Sequence, residues 1–142
     1  VRADAERMLA ALALPRAELS VLLTDDATIH VLNREHRHKD KPTDVLAFAM
    51  REGPHARRDD PLLGDVVISL DTAARQARER RRALHDEVRM LLAHGLLHLL
   101  GLDHRNRAEE RRMTARTDLL IAAAAAVNKA RPRGRRHGWL PR

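Results

Sequence analysis

HGLLHLLGLDH, residues 94–104, is the stretch that decides how this chain folds and where its chemistry lies. Residues four apart lie on one face of an α-helix, so His94 and His98 aim their imidazoles at one point. Gly101 provides a helix end, because glycine adopts the left-handed conformation without steric cost. The chain can then bring His104 back to the same point as a third ligand. Three neutral imidazoles with an open fourth position are typical of a catalytic zinc site.

The residues around the first two histidines favour a metal site over ordinary buried histidines. Most residues between 88 and 100 are apolar, which predicts a helix buried nearly all round. Imidazoles inside such a helix are costly unless they have metal or hydrogen-bonding partners. We therefore predict one Zn²⁺ per chain, bound by His94, His98 and His104. The alternative is a core helix whose histidines are satisfied by hydrogen bonds alone.

The residue after the first histidine bears on the reaction. Zinc peptidases of the zincin type carry His-Glu-x-x-His, in which the glutamate is the general base for the attacking water. Here that position is Gly95. A zincin-type metallopeptidase is therefore an alternative hypothesis that the sequence argues against, and the general base has to come from elsewhere or from the substrate.

Composition limits the class of protein. At 142 residues without cysteine, we expect one domain with neither disulfides nor thiolate metal ligands. The N-terminal residues show no apolar signal-peptide core. The longest apolar run, 119–127, is too short to span a bilayer. We expect a soluble, cytoplasmic protein with no membrane partner.

The positive charge is concentrated at the C-terminal end. The formal net charge is +7, and Lys129 with five arginines contributes +6 within residues 129–142. We predict a single metal-dependent domain over 1–126 and a basic, disordered tail over 127–142. The tail either attracts phosphate without specificity or merely aids solubility. Phe48 and Trp139 are the sole Phe, Tyr or Trp residues. Stacking of nucleic-acid bases on these rings is therefore not expected to be a main mode of binding.

Hydrophobic periodicity predicts an α+β fold, a small mixed β-sheet packed with helices. The metal-binding helix is expected to be central, as in zincins. The predicted strands are 19–24, 45–50 and 65–70, and the predicted helices are 3–14, one capped by Asp25 or Asp26, one capped by Asp71 or Thr72 that runs to about Arg82, 86–100 and 107–126. The continuous apolar stretch of the third strand indicates a central position in the sheet. Residues 51–61 are expected to be a flexible excursion.

Three ordered blocks resemble the YbeY family of bacterial rRNA maturation factors. The first is the histidine motif itself. The second comprises Leu32-Asn33, Arg37 and the segment DKPTDVLAF at 40–48, and the third is LGDVVIS at 63–69. The resemblance covers roughly residues 5–125. Because the strand that usually opens members of this family is lacking, we expect either a truncated start or a sheet without one edge strand.

The resemblance implies a zinc-dependent, single-strand-specific endoribonuclease in 16S rRNA 3′-end maturation and ribosome quality control. It makes His94, His98 and His104 the metal ligands and places Arg37 at the family's functional arginine. Beside a metal, this arginine would pair with the scissile phosphate. The implied partners are single-stranded rRNA, the small ribosomal subunit, a ribosome-assembly GTPase and ribosomal proteins. The alternative from another functional class is a non-catalytic ribosome-assembly factor whose metal is structural.

Some roles near the motif stay open at the level of sequence. Asp103 is either a partner that orients a ligand imidazole or a turn residue after Gly101. The nucleophile is either activated water or the substrate 2′-hydroxyl, which the chemical ends of the product would distinguish. Thr43 and Asp44 are expected to border the cleft, and Phe48 to belong to the core.

Overall fold

The computed structural model describes residues 1–50, 62–102 and 106–130, with side chains up to residue 125. The described residues form five helices and three strands, which confirms the predicted α+β class. The helices are α1 (Arg2–Ala11), α2 (Asp26–Arg37), α3 (Leu70–Arg80), α4 (Leu84–Leu99) and α5 (Arg107–Ala130), and the strands are β1 (Glu18–Thr24), β2 (Val45–Ala49) and β3 (Leu62–Ser69). The predicted excursion at 51–61 lies outside the described residues.

The three strands form a mixed sheet in the order β1-β3-β2. β1 pairs with β3 in parallel, and β2 pairs with β3 in antiparallel orientation. The central position predicted for the third strand is therefore confirmed. A strand covered on both faces has few positions for polar side chains, and β3 accordingly carries Leu63, Val66, Val67 and Ile68 as buried residues.

Helices cover both faces of the sheet. On one face, Val66 and Ile68 of β3 join the main core, whose other members come chiefly from α1, α4 and α5. On the other face, Val67 packs with Leu46 of β2 and Ile29 of α2 in a smaller cluster. The sheet is thus held between α2 on one side and α4 on the other, and this arrangement positions the site.

Helix α4 is the centre of the main core, as the sequence predicts. It packs against α1, α3, α5, β2 and β3. Leu92, Ala93, Leu96 and Leu97 have no solvent exposure. Burying a leucine side chain contributes about 1.5–3 kcal/mol relative to leaving it exposed, so these contacts hold the helix rigidly.

Two helices begin at side-chain caps that follow strands. Asp25 caps α2, because its Oδ1 accepts a hydrogen bond from the Thr28 backbone N–H at 2.8 Å. The cap of α3 is Ser69, whose Oγ accepts from the Thr72 N–H at 3.3 Å. The prediction of Asp71 or Thr72 as this cap was wrong, because the helix begins directly after the last residue of β3 and both residues lie in its first turn.

A polar cluster joins the starts of α2 and α3. Oδ1 of Asp26 accepts hydrogen bonds from the hydroxyls of Ser69 and Thr72, each at 2.6 Å. Arg75 Nη2 lies 2.9 Å from Oδ2 of the same carboxylate. These hydrogen bonds, led by that of Ser69, hold the pKa of Asp26 below its ordinary value.

The last helix continues to Ala130 rather than ending at about residue 126. Residues 131–142, which carry most of the predicted basic tail, lie outside the described residues. Within the described parts of the chain, no helix is long and apolar enough to cross a membrane.

Candidate active site

A cleft of about 340 Å³ opens where α2, β2, α3 and α4 meet. Its polar side chains come from three helices and from the residue that precedes β2. Arg37, Asp44, Arg80, His94 and His98 supply the polar lining, and Val45, Ala47, Met90, Leu91 and Gly95 supply the rest. The cleft therefore brings the two histidines of the motif together with Arg37, as the sequence analysis expects.

His94 and His98 lie one turn apart on α4 and both face this cleft. Their ring centroids are 6.2 Å apart, with an angle of 30° between the ring planes. Both residues are half-buried, so each ring is partly held by its surroundings while remaining accessible from the cleft. The predicted placement of two imidazoles on one helical face is confirmed.

The end of α4 has the turn that Gly101 predicts. Gly101 has a φ of +91°, and the helix ends at Leu99 just before it. The Leu102 N–H donates to the Leu97 carbonyl and the Gly101 N–H to the His98 carbonyl, each at 3.0 Å. This pair of bonds is the Schellman motif, which turns the chain sharply at the helix end.

The third predicted ligand, His104, and its neighbour Asp103 lie outside the described residues. Among residues 1–50, 62–102 and 106–130, no group of three or more histidine, cysteine or acidic side chains could hold a metal ion. The metal site with His94, His98 and His104 as ligands therefore stays a prediction. Two adjacent imidazoles without cysteine nearby are a donor set that suits zinc.

Gly95 lies at the closest approach of α4 to the sheet. A Cβ atom at this position would lie 2.7 Å from Val66 Cγ1 and 3.3 Å from Val45 Cγ2. No side chain fits there unless the sheet moves. The glutamate that zincin peptidases use as general base is absent from this position. The packing of α4 on β3 also leaves no room for it.

Arg37 is the last residue of α2, and its side chain spans the opening between that helix and β2. Its Nη2 donates a hydrogen bond to the Ala47 carbonyl at 2.9 Å. Ala47 is in β2, an edge strand of the described sheet, so the guanidinium satisfies a backbone carbonyl that no described strand bonds. The same contact fixes the guanidinium at the rim of the cleft.

Arg80 is a second cation at the cleft that the sequence analysis did not single out. It ends α3, and its Nη1 lies 2.7 Å from Oε2 of Glu87, which is fully buried in α4. Arg82 Nε lies 3.4 Å from the other oxygen of this carboxylate. No pattern in the sequence indicates which arginine of α3 points inward, because that depends on how α3 packs against α4.

Asp44 borders the cleft as expected, whereas Thr43 is not among the residues that line it. Its Oδ1 accepts from the Val45 N–H at 2.8 Å, and Gln76 Nε2 donates to its Oδ2 at 3.2 Å. Thr43 Oγ1 is 3.4 Å from Asp44 Oδ1. Hydrogen bonds thus orient this carboxylate, which lies across the cleft from the histidines' helix and joins β2 to α3.

Comparison with solved structures identifies the fold. The solution structure of a Thermotoga maritima protein matches with a TM-score of 0.64, covering 92% of this chain and 83% of that one. The two sequences are 23% identical, so the likeness concerns the fold.

Sequence comparison then identifies the family. The family described as Endoribonuclease YbeY matches residues 2–125, and the chain belongs to this family. The resemblance drawn from the three sequence blocks is therefore confirmed.

Several relatives named Endoribonuclease YbeY are about half identical to the chain. The one from Anaeromyxobacter sp. (strain Fw109-5) is 52% identical over 92% of this chain and 66% of its own length. Those from Geobacter metallireducens and Aquifex aeolicus are 48% and 54% identical, over 86% and 75% of this chain and 83% and 69% of theirs. The chain thus spans about two thirds or more of each of these relatives.

Proposed function

We propose that this chain is an endoribonuclease that cuts single-stranded RNA with one zinc ion bound by His94, His98 and His104. Its cellular role in this proposal is 16S rRNA 3′-end maturation and ribosome quality control in the cytoplasm. The observation that carries the proposal is the meeting of His94, His98 and Arg37 at one cleft in a chain of the Endoribonuclease YbeY family.

The histidines are suited to hold the ion because a rigid helix presents them. The buried leucines of α4 fix the helix, and the Schellman turn at Gly101 directs the following residues out of its axis. In the proposal, His104 returns by this turn as the third ligand. When bound, zinc supplies a Lewis-acidic charge that activates water and polarises a phosphoryl oxygen.

Arg37 is placed to hold the scissile phosphate. Its guanidinium has five N–H donors, of which the bond to the Ala47 carbonyl uses one. The remaining donors can engage two phosphate oxygens in the bidentate manner for which arginine is suited. A fixed positive charge at this place stabilises the negative charge that develops on phosphate oxygens during cleavage.

The partners in this proposal follow from the substrate. RNA of the small ribosomal subunit binds in the cleft. Ribosomal proteins and a ribosome-assembly GTPase are the protein partners. Peptide hydrolysis is disfavoured by the packing at Gly95, where a catalytic glutamate has no room.

The test compares the wild type with His98→Ala and Arg37→Glu on a single-stranded RNA spanning the 3′ end of small-subunit rRNA. Zinc content is measured for each protein. We expect His98→Ala to lose zinc and cleavage together, and Arg37→Glu to keep zinc and the fold while losing cleavage. The matched control for Arg37→Glu is Arg34→Glu on the same helix, because Arg34 does not line the cleft.

The outcomes separate the alternatives. Cleavage that survives both substitutions would overturn the proposal. A wild type that binds one zinc and the small subunit without cutting RNA would instead support an assembly factor with a structural metal. A product with a 2′,3′-cyclic phosphate end would identify the substrate 2′-hydroxyl as nucleophile, whereas its absence would favour water.

A further inference from the structure

A second groove adjoins the cleft along the outer edge of β2. It has a volume of about 560 Å³ and is lined by residues 36–39 at the end of α2 and by Ala47–Ala49 of β2. Arg37 and Ala47 line both the groove and the cleft. The hydrogen bond between these two residues therefore lies on the wall that the cleft and the groove share.

We propose that this groove binds the nucleotide next to the scissile phosphate, with its base against His36 and Phe48 and its phosphate beside Lys39. The inference rests on the proposed function and extends it to a second subsite. It assigns a binding role to residues that are neither metal ligands nor part of the catalytic cleft.

The aromatic part of the groove is a pair of rings. The His36 and Phe48 ring centroids are 5.2 Å apart, at an interplanar angle of 67°. Phe48 is half-buried against the cluster of Ile29, Leu46 and Val67, which fixes its ring, whereas His36 is exposed. Proteins that bind single-stranded RNA stack its unpaired bases on such rings, and each stacked base adds affinity with little sequence preference.

The charge of the groove suits a phosphate backbone. Arg37 and Lys39 are both exposed, and among the described residues that line the groove none is acidic. Asp40 follows Lys39 in the chain, but its Oδ1 accepts a hydrogen bond from His30 Nε2 at 2.8 Å, which directs it toward α2. Cationic side chains next to an aromatic pair are the combination that single-strand binding surfaces use.

The groove is held in shape before any ligand arrives. His38 ends α2 in the left-handed conformation, with its N–H bonded to the Arg34 carbonyl. The buried Asn33 then donates through Nδ2 to the Lys41 carbonyl at 2.8 Å, which ties the following loop to α2. Because the loop is already ordered, little conformational entropy is lost on binding.

The test measures the affinity of a short fluorescein-labelled single-stranded RNA by anisotropy, with a chelator present so that the RNA is not cut. The variants are His36→Ala and Lys39→Gln in the full chain. We expect His36→Ala to weaken binding about fivefold or more, since a stacked base is lost. His36→Tyr should restore the affinity, because it keeps an aromatic ring.

For Lys39→Gln, we expect weaker binding and a smaller salt dependence. The slope of log K against log salt should fall by about 0.7, which corresponds to one phosphate contact to a single strand. Lys41→Gln is the matched control, because Lys41 belongs to the same loop but does not line the groove. The control should bind RNA like the wild type.

Failure of this inference and failure of the proposed function are distinguishable. If His36→Ala and Lys39→Gln bind RNA as tightly as the wild type, the groove is not a nucleotide subsite, whatever the cleavage assay shows. If the wild type fails to cut RNA yet these variants weaken binding, the groove assignment survives without the nuclease. In a cleaving enzyme, both substitutions should raise KM and leave kcat nearly unchanged.

Discussion

The two halves of α4 use polar side chains in opposite ways. In the first half, Glu87 and Arg89 are buried and each is paired with charges from a neighbouring helix. In the second half, His94 and His98 face an open cleft. The comparison teaches that buried charges anchor the first half of the helix, whereas the second half presents its histidines to the cleft.

The pairing of Arg89 joins α4 to α1. Its Nε donates to Asp4 Oδ1 at 3.2 Å, and its Nη2 donates to His85 Nε2 at 2.8 Å. The side chains of Arg89 and Asp4 are only 9% and 5% exposed. A charge taken this far from water is tolerated only when it is paired and hydrogen-bonded, so neither group can be removed cheaply.

The largest effect on stability is expected where this pair is broken. Asp4→Asn removes the buried carboxylate partner of Arg89 and leaves only the more exposed Asp86, whose Oδ1 is 3.7 Å from Arg89 Nη1, and we expect a loss of about 3 kcal/mol in the free energy of unfolding. Urea denaturation measures it. RNA cleavage per folded molecule should not change, because Asp4 does not line the cleft.

Two further variants control this result. Glu6→Gln changes an exposed acid of the same helix and should be nearly neutral. Replacing both partners, as in Asp4→Leu with Arg89→Met, should recover part of the lost stability. If Asp4→Asn unfolds at the same urea concentration as the wild type, the first half of α4 is not anchored by this pair.

A smaller effect is expected at the second half of the helix. Gly95→Ala puts a Cβ atom 2.7 Å from Val66 Cγ1, so α4 must move away from the sheet. Overpacking of this kind typically costs about 1–3 kcal/mol. Unlike Asp4→Asn, it should also lower cleavage per folded molecule, because the same movement displaces His94 and His98 relative to Arg37.

Thermal unfolding together with the cleavage rate measures both effects. Gly95→Ala with full stability and full activity would show that the contact between α4 and β3 yields easily, and would remove the steric argument against a glutamate at this position.

The smallest effect on stability is expected at the boundary between the two halves. Arg80 pairs with Glu87 of the first half but lines the cleft with the histidines of the second. Glu87 is fully buried, but Arg82 Nε remains 3.4 Å from its carboxylate, so Arg80→Gln should cost about 1–2 kcal/mol. We expect kcat/KM for RNA to fall roughly tenfold through the loss of one charged contact.

Arg78→Gln is the matched control for this variant, because Arg78 is an exposed arginine of the same helix that does not line the cleft. If both substitutions lower cleavage equally, the effect is one of general charge. In that event Arg80 would anchor the first half of α4 through Glu87 and would have no specific role in the cleft.

The sequence predicted much of the fold because hydrophobic periodicity is a local signal. The central strand β3, the buried helix α4 and the turn at Gly101 all follow from patterns within a few residues. The Ser69 cap was missed because hydrophobic periodicity does not show that a helix begins directly after the last residue of a strand. Sequence spacing likewise predicted the shared face of His94 and His98.

The contacts between distant segments could not be predicted in this way. The pairing of Arg80 with Glu87 depends on how α3 and α4 cross, and the Arg37 bond to Ala47 depends on where β2 lies beside α2. Phe48 was expected in the core, and it does pack there, but its ring also meets His36 at the wall of a groove. Such juxtapositions arise from packing over the whole chain.

The strand order of the sheet has a consequence for how the protein forms in time. β3 lies between β1 and β2 but follows both along the chain, so that Glu18 pairs with Leu62 and Thr24 with Ser69. During synthesis neither earlier strand has a partner until β3 emerges. Pairings so distant in sequence are slow to form, since the intervening loop must close first. The hydrophobic residues of β1 and β2 therefore stay uncovered until β3 is made, and the cleft is completed only when α4 follows.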